Sequence, residues 1–333
     1  LGEKPFRAKQ VWEWLWQKNA HSFAQISSLS LGLRNMLSEQ FYIDHITLQD
    51  QQISKDRTIK SAFSIEEGKV IEGVLIPTSS RMTACISSQV GCSLSCQFCA
   101  TGRLKLMRNL SAGEIVDQVV YLQQQAQTHY EQNLSNIVYM GMGEPLLNYK
   151  NVLRSVDRLC SPDGLGISPK RITVSTAGIS KMIKKLGDDE VKFNLALSLH
   201  AANDIKRNEI MEINESNNLE SLAEALQYFH EKTGSRVTFE YIIFKDFNDD
   251  QVMVFGASAP KQYKTDYLVF NNKNKTVVFK NENTKNCGSL KEKTFERYDP
   301  KCGYYLKQQT EKLEIRINLD LKTPLSFNSK VLT

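Results

Sequence analysis

Cys92, Cys96 and Cys99 fall within one short stretch, CSLSCQFC, with C-x3-C-x2-C spacing. Three thiolates can each hold one corner of a [4Fe–4S] cube and leave the fourth iron without a protein ligand. An iron left open in that way can bind a substrate, whereas a fourth cysteine would close the cluster for electron transfer alone. A zinc knot and a set of buried structural thiols are the competing readings. Structural zinc sites usually show two C-x2-C pairs or a mixed Cys/His set. No second pair follows within zinc distance of these cysteines.

A second group of residues lies at the ends of apolar runs. The run 136–140 enters Gly141-Met142-Gly143-Glu144-Pro145. Glycines there let the backbone approach a ligand, and the Glu144 carboxylate can accept from an ammonium group. Ser175 stands at the end of 171–176, and Ser198-Leu199-His200 closes 193–200. Taken singly, each is equally an ordinary turn residue; jointly they would surround one mouth. Cys85, within the run 82–88, reads as a buried strand thiol, and Glu72 of IEGVLIP as an outward-facing hairpin carboxylate.

The elements that must carry these residues follow from hydrophobic periodicity. Residues 5–18 place Val11, Trp12, Leu15 and Trp16 near helical spacing, and core packing explains these tryptophans better than base stacking. Runs 58–65 and 69–76 alternate around Glu66-Glu67-Gly68, the pattern of a hairpin. Apolar, β-branched runs then recur at 82–88, 136–141, 171–176, 193–199 and 237–244. Helical patterns lie between several of them. One opens on a Ser111/Glu114 capping box, and another, Asn218–Lys232, stops at Gly234. Strands alternating with helices argue for an α/β fold of parallel βα units. With ligand candidates at the C-terminal strand ends, a partial TIM-like barrel is the best reading. The chain thus divides into residues 1–77, a helical region with a β-hairpin extension; 78–250, the βα core; and 251–333, an atypical tail.

Bulk properties bound the reading without deciding it. The 333 residues are 41 % hydrophobic and 24 % charged, ordinary for a globular protein. No run is apolar and long enough for a membrane helix, and no signal-peptide pattern opens the chain. The first residue is Leu1, which points to an N-terminal piece beyond this sequence. Seven unevenly clustered cysteines do not form a secreted disulfide framework and fit a reducing cytoplasm better. A net charge of +5 permits a nucleic-acid partner without demonstrating one.

Several segments, read together, carry a family likeness. GEKPFRAKQVWEWLW, IEGVLIP, TACISSQVGCSLSCQFCATG, RNLSAGEI, MGMGEPLLN, KRITVSTAG, LALSLHAAND and FEYIIFKDFND resemble the RlmN/Cfr-type radical S-adenosylmethionine (SAM) RNA methyltransferases, RlmN most closely. The likeness covers about residues 2–249. It implies a radical SAM barrel holding a [4Fe–4S] cluster and SAM. It also implies methylation of C2 of an adenosine in 23S ribosomal RNA, and of an adenosine in a tRNA anticodon loop. A C8-methylating relative shares these motifs, so C2 rests on the closeness to RlmN. Adenine C2 is a poor nucleophile, and in the family a radical route supplies the carbon. A C-terminal cysteine carries the methyl group, its methylene radical adds to adenine, and a second cysteine resolves the adduct, leaving a disulfide.

By this resemblance Cys92, Cys96 and Cys99 are the cluster ligands, and Gly143, Glu144, Ser175, Ser198, Leu199 and His200 are SAM contacts. Cys85 is the resolving cysteine and Glu72 the proton acceptor. Residues 1–77 become an RNA-binding accessory region. Arg103, Lys105 and Arg108 after the cysteine loop would face RNA phosphates or form a solvated basic loop. A reducing electron donor such as flavodoxin is a further implied partner, and no membrane is involved.

The tail departs from the family pattern. A strand ending in Asn-Pro is replaced by YLVF followed by Asn271-Asn272, and the carrier cysteine has two faint counterparts, Cys287 and Cys302. A core with an incomplete tail would bind cluster, SAM and RNA without completing methyl transfer. Cys160, in a helical stretch, reads as structural.

Overall fold

Apolar residues at helical spacing open the chain, and helix α1 (Pro5–Trp16) forms over them. Pro5 occupies the first helical position, where a missing N–H costs nothing. Val11 and Trp14 pack on a small core of Ala20, Phe23, Ile26, Leu29, Leu33 and Leu37. Helix α2 (Leu31–Gln40) begins at Ser30, whose hydroxyl accepts from the Leu33 N–H at 3.3 Å. Trp12 and Trp16 are only half-buried, and the Arg158 guanidinium lies 4.0 Å from the Trp12 ring centroid and 5.7 Å from that of Trp16. These two tryptophans form a cation–π clamp instead of joining the core as expected.

The computed structural model describes residues 2–248 apart from 17, 19, 245 and 246, and beyond them strand backbone alone. The chain divides into two compact units, Leu1–Ser93 with Leu104–Thr173, and Leu94–Arg103 with Val174–Thr333.

In the first unit, strands β1 (Thr47–Ile53), β2 (Ile59–Ser64), β3 (Val70–Pro77) and β4 (Met82–Cys85) form an antiparallel meander. The β2–β3 hairpin turns at Glu66–Gly68, as its alternation predicts. Strand β1 was not foreseen, because TLQDQQI lacks apolar alternation and its side chains are mostly exposed. Ile71, Leu75 and Ala84 bury one face of the sheet completely. On the other face Glu72 and Val74 follow at two-residue spacing, and Val74 is in register with Cys85. Two-residue strands β5 (Gln89–Val90) and β6 (Arg108–Asn109) pair across the base of the segment that carries the three cysteines. Helix α3 (Ala112–Tyr130) starts with the expected capping box of Ser111 and Glu114. Strand β7 (Asn136–Tyr139) lies parallel to β4, with Val138 in register with Cys85. Helix α4 (Tyr149–Cys160) follows the turn after β7 and carries Arg158.

The second unit continues the βα alternation. Strand β8 (Ile172–Thr176) leads to helix α5 (Ser180–Asp188), and β9 (Asn194–Ser198) to helix α6 (Asp204–Ile210). Helix α7 (Leu219–Thr233) runs from an Asn218 N-cap to Gly234, which takes a left-handed φ of 63°. Strand β10 (Val237–Ile242) then pairs parallel to β9, placing Glu240 in register with Ser198. The two strands bury Leu195, Ala196, Leu197, Val237 and Phe239 almost completely, the pattern of parallel strands covered on both faces.

In the tail, strand backbone occupies Asp266–Asn271, Thr276–Asn281 and Lys312–Leu319 among others. Asn272, Cys287 and Cys302, and the side chain of Asn271, lie outside the described residues. No helix among the described residues is long and apolar enough to cross a membrane.

One buried carboxyl makes the first unit sensitive to pH. Asp117 on α3 accepts from the Ile46 N–H at 3.3 Å, and burial pushes its pKa up to about 6. The folded form therefore holds this proton more tightly than the unfolded chain. Its contribution to stability is full below the ordinary value of 3.8 and is lost as pH rises through about 6. Asp117→Asn is expected to stabilise the protein by on the order of 1–2 kcal/mol at pH 8, and the gain should vanish near pH 4. Urea denaturation at the two pH values checks this.

Candidate functional site

The turn after β7 is fixed by polar groups buried in the first unit. Ser87 donates from its hydroxyl to the Glu72 carbonyl at 2.6 Å and accepts from the Met142 N–H at 2.8 Å. Its backbone N–H donates to Gln118 Oε1 at 2.8 Å, and Gln118 Nε2 returns a bond to the Ser87 carbonyl at 3.1 Å. Gln89 Oε1 accepts from the Glu144 N–H at 2.8 Å, while its Nε2 donates to Asn109. Asn148 donates to the carbonyls of Ser88 and Leu110, both at 2.8 Å. Gly143 takes a φ of +95°, and a Cβ there would stand 2.4 Å from the Cβ of Gln89. No other residue type fits this conformation and this contact. The Glu144 side chain is buried at 3 % exposure, and its carboxylate accepts from the Leu146 N–H.

Glu72 and Cys85 share one face of the β3–β4 pair. Glu72 is ion-paired with Lys60 at 3.0 Å, both side chains being about half exposed. Arg108 does not join the basic residues that could meet phosphates. It forms a two-pronged pair with Glu114 at 2.6 and 2.9 Å, and Glu114 is 4 % exposed. The pairing holds the Glu114 carboxylate below its usual range although burial opposes this. Arg103 and Lys105 remain exposed.

The cysteine segment passes from the first unit into the second after Ser93. Within the second unit the Gln97 N–H donates to the Ile210 carbonyl at 3.0 Å, and the Phe98 ring meets His200 edge-on at 4.5 Å. A Cβ on Gly102 would stand 2.8 Å from the Cys96 carbonyl oxygen, so the loop folds tightly back on itself. Burial lowers the His200 pKa to about 3, helped by the positive charge of Arg207, so the imidazole is neutral. Its Nδ1 accepts from the Ile242 N–H at 3.1 Å, and its backbone takes a left-handed φ of 54°.

Arg207 ties these strand ends together. It is fully buried and donates to the carbonyls of Leu199, Ala177 and Ser198 and to Asn214 Oδ1, at 2.6 to 3.1 Å. Desolvation lowers its pKa to about 10, and the nearby Cys96 and Asp204 oppose that shift. Glu240 reaches back from β10, accepting from the Ser175 hydroxyl at 3.1 Å and the Ser198 hydroxyl at 3.5 Å. Leu199 enters through its backbone, its N–H donating to the Glu240 carbonyl at 2.9 Å. Asn248 donates to the carbonyls of His200 and Ile242.

Sequence reasoning missed Gln89, Gln118, Arg207, Glu240 and Asn248. Two of them left a local signal. Gln118 interrupts the apolar stripe of α3 that Ile115, Val119 and Leu122 define, and Glu240 is a carboxylate inside the apolar run VTFEYIIF.

The donor set suits a cluster and a SAM molecule. Three thiols on one tight loop suit three separate irons of a cube. The glycine turn at 141–143 offers a backbone cradle beside a buried carboxylate. No disulfide joins any two of Cys85, Cys92, Cys96, Cys99 and Cys160. Burial and Asp157 push the Cys160 thiol up to about 11, in keeping with a structural residue.

Residues 86–255 match the Radical SAM superfamily, and residues 1–43 match the ribosomal RNA large subunit methyltransferase N-terminal domain. The chain is 59 % identical over 248 residues to the "Probable dual-specificity RNA methyltransferase RlmN" of Cytophaga hutchinsonii, covering 74 % of this chain and 68 % of that one. It is 42 % identical over 258 residues to the "Dual-specificity RNA methyltransferase RlmN" of Campylobacter fetus, covering 74 % and 73 %. Among solved structures, a radical SAM methyltransferase from Sphaerobacter thermophilus superposes with a TM-score of 0.69 at 38 % identity, over 74 % of this chain and 72 % of that one.

Removing the Arg207 guanidinium would leave several buried carbonyls without a donor, at about 1–3 kcal/mol each. Arg207→Met is expected to lower stability by about 3 kcal/mol or more, read as a shift of the urea midpoint. A loss below about 1 kcal/mol would contradict this stitching role.

Proposed function

Because the chain belongs to the RlmN-type family of radical SAM RNA methyltransferases, we propose that it methylates C2 of an adenosine in 23S ribosomal RNA and of an adenosine in a tRNA anticodon loop. Its cofactors are a [4Fe–4S] cluster and SAM. The observation that carries the reading is the anchoring of the cysteine loop, through Gln97 to Ile210 and through Phe98 to His200. That anchoring sets Cys96 and Cys99 in the same unit as the strand ends bearing Ser175, Ser198 and His200.

In this reading Cys92, Cys96 and Cys99 hold three irons of the cluster. Glu144 takes the ammonium group of SAM on the turn that Gly143 allows, and Ser175, Ser198, Leu199 and His200 are further SAM contacts. Once bound, the two cofactors supply a 5′-deoxyadenosyl radical, the kind of reagent that a poorly nucleophilic carbon such as adenine C2 requires. The protein's own contribution is placement. His200 is neutral and its Nδ1 is engaged with the Ile242 N–H, so it orients the strand end without adding charge. Glu72 and Cys85 share a face of the β3–β4 pair, in keeping with a proton acceptor and a resolving thiol that serve one adduct. Cys287 and Cys302 are the candidates for the methyl-carrying cysteine. Arg103 and Lys105, both exposed, are the basic residues proposed to face RNA phosphates. The electron comes from a reduced donor such as flavodoxin in the cytoplasm.

Anaerobic reconstitution, followed by SAM, reductant and an rRNA fragment, tests the activity by mass spectrometry of protein and RNA. The expected products are 2-methyladenosine and a methylated cysteine in the tail. Iron, sulfide and 5′-deoxyadenosine without either methyl mark would overturn the methyltransferase assignment. Cys96→Ala should remove cluster and SAM cleavage together, since two thiolates hold a cube poorly. Retention of full iron content in that variant would refute its place as a ligand.

A further inference from the structure

Arg207 is fully buried, and the acceptors it reaches are neutral: three main-chain carbonyls and the side-chain oxygen of Asn214. Stitching of this kind does not need a charge. In the first unit Gln118 and Asn148 tie backbone segments together with neutral amides. A buried cation is costly unless a negative group meets it, so the charge itself calls for a counterpart. The cysteine loop supplies one. Gln97 and Phe98, the two residues between Cys96 and Cys99, both touch segments that Arg207 holds. The Gln97 N–H donates at 3.0 Å to the carbonyl of Ile210, on the helix that carries Arg207. Phe98 meets the ring of His200 at 4.5 Å, and the preceding carbonyl, that of Leu199, accepts from Arg207 Nε at 3.1 Å. Cys96, once a thiolate, and Asp204 are the negative groups within reach of the Arg207 charge. Asn214 links Arg207 to Asp204, accepting from the guanidinium at 2.6 Å and donating to the carboxylate at 2.9 Å.

We propose that Arg207 acts through Cys96 to raise the reduction potential of the [4Fe–4S] cluster. The inference rests on the reading of Cys92, Cys96 and Cys99 as the cluster's ligands. One electron passes from the reduced donor, which is oxidised, and leaves the thiolate-ligated cluster one charge more negative. A fixed positive charge in a dry interior favours the more negative form. Arg207 therefore eases the uptake of the electron, and it does so without touching iron or substrate. Asp204 works against it, so the two side chains together set the field at Cys96.

The test is a redox titration of the anaerobically reconstituted full chain at pH 7, without SAM, followed by the electron paramagnetic resonance signal of the reduced cluster. Wild type is compared with Arg207→Lys, Arg207→Gln, Arg207→Met and Asp204→Asn, and iron content and circular dichroism check that each is folded and loaded. The two neutral replacements of Arg207 are expected to lower the potential by about 59 mV or more, a tenfold shift of a one-electron equilibrium. Arg207→Lys loses the fork of donors but keeps the charge, so it should lose less than half as much. Asp204→Asn should raise the potential, by a roughly threefold shift of the same equilibrium. Equal potentials in the folded variants, or a lysine variant as low as the neutral ones, would overturn the proposal and leave Arg207 a purely structural residue. If the neutral variants fail to fold, Asp204→Asn decides, and a potential that stays or falls there overturns it. A wild type that holds no cluster would instead bring down the reading of the three cysteines, and this inference with it.

Discussion

A guanidinium cannot shed its charge and carries five N–H donors, so burying one obliges the surrounding chain to supply acceptors. Arg207 meets that obligation with carbonyl oxygens at the ends of β8 and β9, and with Asn214. Those carbonyls belong to the short segments that carry Ser198, Leu199 and the residue two after Ser175. Strand ends are ordinarily the loosest part of a parallel sheet, because the ladder of backbone bonds stops there. Here one side chain substitutes for the missing ladder, and the neutral His200, Glu240 and Asn248 are arranged around the result.

The first unit solves the same problem with neutral amides. Gln118 exchanges two bonds with Ser87, and Gln89 spans from Asn109 to Glu144. Each amide offers both a donor and an acceptor, so it can satisfy a turn whose exposed backbone groups are of both kinds. The glycine–glutamate turn is therefore held by packing and hydrogen bonds before any ligand arrives. Such preorganisation would serve the SAM contact proposed for this turn.

Much of this was legible in the sequence. Five apolar β-branched runs marked β4, β7, β8, β9 and β10, the capping box marked the start of α3, and Gly234 marked the end of α7. Local periodicity carries that information because it reflects which face of an element is buried. Strand β1 escaped, since a mostly exposed strand has no apolar rhythm and pairs through its backbone alone. Arg108 was misread for a related reason. Its partner Glu114 was recognised as a capping residue, and nothing in the local pattern reveals that the same carboxylate also takes a guanidinium. The contact between Glu240 and Ser175 joins positions 65 residues apart, beyond the reach of any window of neighbouring residues.

The placement of the aromatic residues has a spectroscopic consequence. All three tryptophans of the chain, Trp12, Trp14 and Trp16, lie in α1. Intrinsic indole emission is therefore a local signal from the first helix and blind to the strand ends. Trp12 and Trp16 stand over the charged Arg158, so their emission reports whether α1 is seated on α4. Unfolding followed by emission tracks that seat, whereas far-ultraviolet dichroism averages over every helix. Two curves that separate would show the opening helix leaving before the rest, with no introduced label.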